Sequence, residues 1–246
     1  MKSILNKIYI HPILIITVFI FILIGRFKFI IYFMMLISIH ELGHILVSLI
    51  FKWKIDKIIL LPFGGLTKYN NLINISLLEE FLVSISGIIF QLMFYKVIHT
   101  YIDYKYFSYT HYFIIMFNLL PIYPLDGSKL LNILFNKITS FKNSILLTII
   151  VSYISIILLS FVLFDINKLF YMVFVFLFIE VNKLYSDKEL IFNKFIFERY
   201  VHNLNFKKEK VVKSVDNMKK DYRHLFYINN KYVTESTYLQ AMFKIR

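Results

Sequence analysis

The chain has 246 residues, 59% of them hydrophobic and 17% charged, with 28 basic side chains against 15 acidic ones and no cysteine. A mean hydropathy of +0.67 lies outside the range of soluble domains and reads as a polytopic membrane protein. The missing cysteines exclude disulfides, thiol catalysis and thiolate-bound zinc.

Five apolar stretches, at about 8–25, 29–51, 81–98, 107–125 and 144–164, approach or exceed the roughly 18 residues that span a bilayer. A sixth, at 169–181, is shorter and ends at Glu180 and Lys183, so it spans only by snorkelling or local thinning. After "MKSILNK" the apolar run has no small-residue cleavage site, and no cleavable signal is expected. From Tyr185 the composition turns charged. There "EKVVKSV" and "HLFYINNKYVT" read as strands, the second turning at Asn229-Asn230. The expected fold is an all-α polytopic membrane protein of about six transmembrane helices. It has a membrane domain over 1–184 and a small mixed α/β cytosolic tail over 185–246.

Basic residues set the orientation. With the N-terminus inside, the outer segments hold Arg26, Lys28, Lys96, Lys105 and Lys168, and the other 23 of the 28 fall inside. The positive-inside rule then places both termini in the cytosol. The net charge of +13 is explained by topology and anionic lipid, with no direct nucleic-acid partner.

The second stretch carries His40-Glu41-Leu42-Gly43-His44. On a helix, positions i and i+4 share a face, so both imidazoles can hold one metal ion with Glu41 beside them. Zinc supplies what peptide hydrolysis lacks at neutral pH, a water of lowered pKa and a polarised carbonyl. Composition alone gives roughly 0.006 chance occurrences of this pattern in the chain. The alternative, two buried histidines bonded to neighbouring helices, rarely places a glutamate in a span as well.

A third protein ligand is needed, and "NLLPIYPLDG" at 118–127 offers Asp126. Pro121 and Pro124 break the helix there, and irregular backbone at membrane depth is tolerated only inside protein or beside a wet cavity. Depth agrees: His40 and His44 lie 11 and 15 residues past Phe29, and Asp126 lies 14 past Tyr112 in a parallel span. One Zn2+ per chain is balanced by Asp126 and Glu41.

HELGH in an early span with N-x-x-P-x-x-x-L-D-G in a later one resembles the site-2 protease family of intramembrane metalloproteases. The resemblance implies His40, His44 and Asp126 as zinc ligands, Glu41 as general base, and Asn118 and Pro121 shaping the substrate side. His11-Pro12, "LPFGG" at 61–65, "NLLPIYPLDGSKL" and "FERY" at 197–200 resemble the family's sporulation branch. That branch cleaves the membrane-associated pro-sequence of a sigma factor precursor and is held inactive by partner membrane proteins. It ends in a nucleotide-responsive CBS domain; the tail here reads as a truncated one, which weighs against nucleotide regulation. In "LPFGGLTKY", Gly64 and Gly65 permit close backbone approach. An ordinary turn is the plain reading, and the resemblance favours docking of a substrate strand.

Gly87 in "SISGIIF" reads as helix packing through a small residue. His11, His99, His111, His202 and His224 have no partner at ligand spacing and read as interfacial or solvated. The competing functions are a di-iron oxygenase, a metal transporter and a catalytically inactive scaffold. The first needs several histidine clusters, the second polar groups along several spans, and the third has no reason to keep all four chemical residues.

Overall fold

The computed structural model describes residues 7–61, 64–70, 73–101, 104–162, 169–202, 204, 206–228 and 230–244. The helices are α1 (Pro12–Leu23), α2 (Phe27–Ile50), α3 (Leu77–Ile98), α4 (Tyr104–Asn118), α5 (Asp126–Ile138), α6 (Phe141–Val162), α7 (Leu169–His202) and α8 (Glu235–Lys244). The strands are β1 (Ile8–Ile10), β2 (Ile55–Leu61), β3 (Gly64–Tyr69), β4 (Lys208–Val212), β5 (Tyr222–Ile228) and β6 (Lys231–Thr234). Two compact units divide the chain. One takes residues up to 71 with 81–120 and 125–127; the other takes 72–80, 121–124 and 128 onward.

Among the described residues three helices are long and apolar enough to cross a membrane, at Phe27–Ile50, Leu77–Ile98 and Phe141–Phe161. The stretch expected to span from residue 8 instead starts as a strand, and α1 has 12 residues. At 1.5 Å per residue that is about 18 Å, short of a hydrocarbon core of about 30 Å. The cause is His11-Pro12. The residue before a proline favours extended backbone, His11 is extended, and its Nδ1 accepts from Ile13 N at 3.3 Å as the N-cap. The fourth stretch also shortens, because α4 stops at Asn118 before the prolines. Helix α7 passes position 184 without interruption. Pro62, Phe63 and the Asn229 half of the expected turn lie outside the described residues; Asn230 has φ 62°.

In the first unit, α2 and α4 share a core of Ile30, Phe33, Leu36 and Ile37 with Phe107 and Ile114. Lipid tails are as apolar as these side chains, so such helices associate through close packing and polar bonds rather than through area removed from water. Gly43 shows the closeness: a Cβ there would lie 2.7 Å from the Ser86 carbonyl oxygen of α3. The sheet runs β1-β2-β3. It pairs β1 parallel with β2 (Ile8 with Ile58) and β2 antiparallel with β3 (Leu60 with Gly65).

In the second unit, α5 and α6 meet through Asn132 Nδ2, which donates to Thr148 Oγ1 at 2.9 Å. Phe141 stacks on Phe195 of α7 at 4.2 Å between centroids. The tail sheet pairs β4 parallel and β6 antiparallel to β5, and α8 closes on it through Phe226 and Tyr238, stacked at 3.9 Å.

The "FERY" residues form a buried clasp in this unit. Glu198 accepts from the backbone N–H groups of Ile73 and Asn74 at 2.6 and 3.1 Å. Arg199 donates to Asn74 Oδ1 (2.6 Å), to the carbonyls of Tyr222 and Lys219 (2.9 Å each) and to Glu235 (3.1 Å). Asp221 accepts from Leu77 N at the start of α3, and Lys220 pairs with Glu80. His224, expected to be interfacial or solvated, is fully buried and contacts Glu235 at 3.1 Å.

Candidate metal centre

Helical spacing puts His40 and His44 on the buried face of α2, one turn apart. Asp126 opens α5 directly after the break that Pro121 and Pro124 impose. The chain turns so tightly there that a Cβ at Gly127 would lie 2.1 Å from the Leu119 carbonyl oxygen, which requires glycine after Asp126.

The three side chains converge. Asp126 Oδ2 is 3.0 Å from Nε2 of both His40 and His44, and the two Nε2 atoms are 3.2 Å apart. All three residues are buried, and their ligand atoms lie within 4.8 Å of one another. The far nitrogen of each ring is engaged, His44 Nδ1 by the Val83 carbonyl at 2.7 Å and His40 Nδ1 by Gln91 Oε1 at 3.1 Å. With the ring protons on Nδ1, two bare nitrogen lone pairs and a carboxylate oxygen face one another. Charging both rings instead would place like charges side by side in a buried site. A cation resolves the conflict. Tetrahedral zinc with bonds of about 2.0–2.1 Å separates its ligand atoms by about 3.3 Å, and the observed triangle is within a few tenths of that. Two imidazoles and one carboxylate also leave a fourth position open.

Glu41 sits beside the triangle at the edge of β3. Its Oε1 accepts from Gly65 N at 2.9 Å and its Oε2 from Thr67 Oγ1 at 3.3 Å. A Cβ at Gly65 would lie 2.3 Å from Glu41 Cδ, and one at Gly64 would lie 3.1 Å from Asn118 Oδ1. Glu41, Gly64, Gly65 and Asn118 therefore gather in one place. Pro121 belongs to the break and to the other compact unit, where its carbonyl accepts from Ser152 Oγ at 3.5 Å.

Helix α3 supplies the outer partners of both rings. Val83, Gly87 and Gln91, four residues apart, lie on one face of that helix. The Val83 carbonyl takes His44 Nδ1, and Gln91 takes His40 Nδ1. Gly87 is more than a packing residue, since a Cβ there would lie 2.4 Å from His44 Nε2 and 2.7 Å from His40 Nε2. His111, expected to be interfacial or solvated, is fully buried and meets Gln91. A glutamine at the middle of an apolar span was the available signal, because polar groups at that depth are costly.

Three comparisons with known proteins give the family. Residues 28–107 match the model of peptidase family M50. The chain is 35% identical over 206 residues to stage IV sporulation protein FB of Bacillus subtilis, covering 79% of this chain and 71% of that protein. Its fold is similar to that of the site-2 protease from Methanocaldococcus jannaschii, with a TM-score of 0.58 at 22% identity over 72% of this chain and 89% of that one. The chain belongs to peptidase family M50, the site-2 proteases, and is an integral membrane metallopeptidase.

Proposed function

We propose that this chain is a zinc endopeptidase that cleaves the membrane-associated pro-sequence of a sporulation sigma factor precursor. One zinc per chain is held by His40, His44 and Asp126, and Glu41 is the general base. The convergence of two Nε2 atoms and one carboxylate oxygen within 4.8 Å carries this reading. The relative of sporulation name supports the substrate class.

Bound zinc lowers the pKa of a water toward neutrality and polarises the scissile carbonyl. Glu41 takes a proton from the attacking water at a carboxylate oxygen and delivers it to the leaving amine nitrogen. A carboxylate offers about four acceptor sites; Gly65 N and Thr67 Oγ1 use two and hold the group in place while the others serve the proton. A helical substrate must unwind before its backbone is open to attack. The edge of β3 gives the unwound segment a strand to pair with. Gly64 and Gly65 let that segment come close to Glu41, Asn118 shapes the same side of the site, and Pro121 acts through the break before Asp126.

The same reading includes about six apolar membrane segments, the first too short to cross as a straight helix, with both termini in the cytosol, a membrane domain over 1–184 and a tail over 185–246. Partner membrane proteins hold the enzyme inactive.

The test is co-expression in membranes with a membrane-tethered sigma factor precursor, the product weighed by mass spectrometry beside Glu41→Gln. A discrete fragment that disappears in the variant while zinc is retained supports the proposal. No fragment and no bound zinc would sink it.

A further inference from the structure

Of the metal triangle's outer partners, the one that holds His40 is a side chain rather than backbone. We infer that Gln91 is a positioning residue for the metal centre, fixing the tautomer and the tilt of His40, and that His111 holds Gln91 in the orientation this requires. The inference rests on the metal-binding reading above.

Gln91 is 0% exposed, in the middle of α3. Its amide nitrogen is 3.2 Å from the His111 backbone oxygen and 3.3 Å from His111 Nδ1. A carbonyl oxygen only accepts, so the amide atom facing it must be the NH2 group. The amide oxygen therefore faces the other way, 3.1 Å from His40 Nδ1. Facing an acceptor, His40 Nδ1 carries the ring proton, and Nε2 turns its lone pair to the place where it meets His44 and Asp126. The same logic runs through backbone for His44, whose Nδ1 faces the Val83 carbonyl at 2.7 Å. Both ligands are thus held in the metal-binding tautomer, one by an atom that no substitution removes and one by Gln91.

His111 is itself anchored. Its ring lies flat on Tyr95, with centroids 4.0 Å apart and planes at 10°, and Tyr95 Oη is 2.8 Å from Ser108 Oγ. Because His111 Nδ1 accepts from Gln91, its proton resides on Nε2, a buried atom with no hydrogen-bond partner among the described residues. Leaving a buried donor unpaired costs free energy. This arrangement gives up that bond while keeping the amide aimed at His40.

Partners beyond the ligands of a metal site typically change its affinity 10- to 100-fold. The test uses the full chain in detergent, stripped of metal and titrated with zinc against a chromophoric chelator, with thermal unfolding of the metal-free protein alongside. Gln91→Leu fills the same space without an acceptor, and we expect zinc affinity to fall about 10- to 100-fold with the metal-free Tm unchanged or higher. Gln91→Glu keeps an oxygen toward His40 but loses the donor that meets the His111 carbonyl, so it is expected to lose less zinc affinity than Gln91→Leu. Zinc binding by Gln91→Leu within about threefold of wild type overturns the inference. An equal loss in both variants also overturns it, because position 91 would then act through packing. A wild-type chain that binds no zinc, or a His44→Ala variant that binds it as well as wild type, refutes the metal reading itself.

Discussion

Replacing Gly87 by alanine adds one methyl group at the closest approach between α3 and the imidazoles. That carbon would lie 2.4 Å from His44 Nε2, 2.7 Å from His40 Nε2 and 2.8 Å from His44 Cε1. Carbon–nitrogen contacts without strain begin near about 3.4 Å, so the His44 ring must retreat by roughly 1 Å. Metal–ligand distances tolerate only about 0.2 Å. The methyl group and a bound ion compete for the same small region. The substitution also removes a helical glycine, which by itself favours the folded chain by about 1 kcal/mol. The two effects separate in measurement. Gly87→Ala is expected to lose zinc affinity by about 100-fold or more and to cut substrate cleavage by a similar factor. Its metal-free Tm should stay within a few degrees of wild type. The assay is zinc titration by chelator competition with membrane cleavage in parallel. A variant that binds zinc and cleaves at wild-type levels would refute the placement of the metal beside Gly87.

Other outcomes follow from contacts elsewhere. Gly127→Ala places a Cβ 2.1 Å from the Leu119 carbonyl oxygen, and neither backbone segment yields easily. Loss of zinc together with a lower metal-free Tm is expected, and a normal Tm would count against the tight turn. Arg199→Met leaves Glu235 without its guanidinium and three acceptors without a donor. Removing one partner of a buried pair costs about 3–5 kcal/mol, which hydrogen exchange over 222–228 reads as lost protection. Unchanged exchange there would refute the clasp. The tail should also loosen in acid. Burial, with Arg199 and Lys210 nearby, lowers the His224 pKa from 6.5 despite its bond to Glu235. Burial alone would raise the Glu235 carboxyl, but His224 and Arg199 hold it below 4.5. In both cases the unfolded chain takes up protons first, so stability is full above about pH 6.5 and falls as pH drops toward the folded values. The slope is at most about 1.4 kcal/mol per pH unit for each group. His224→Gln should remove the part that begins near pH 6.5 and shrink the part below 4.5, because His224 is among the groups that hold the Glu235 carboxyl down. An unaltered profile would show that His224 is not the group responsible.

Reading the chain in order works well where physics is local. A glutamate and two histidines one helical turn apart in an apolar run define half of a candidate metal site by periodicity alone. Pro121 and Pro124 announce the break before Asp126, and three of the apolar stretches are spanning-length helices in the structure. His11-Pro12 is equally local, but the oiliness around it masks its effect on the backbone. The run from residue 8 therefore read as one span, although its first residues pair with β2.

Everything that depends on which helix meets which was out of reach. Gln91 is one polar residue in an apolar helix and His111 one of five unassigned histidines. Only the packing of α2, α3 and α4 brings them behind His40. Gly87 looks like any small residue of a membrane helix until the imidazole nitrogens stand 2.4 and 2.7 Å from its missing Cβ. Glu198 and Arg199 show no sign in sequence that they grip residues 73, 74 and 235. The amino-acid sequence by itself determined the candidate ligand types, their helical spacing and the break before Asp126, because those follow from 3.6 residues per turn and the covalent limits of proline. Only the tertiary structure decided the geometry behind the ligands, since the hydrogen bonds that orient them join residues tens of positions apart, whose meeting no local pattern encodes.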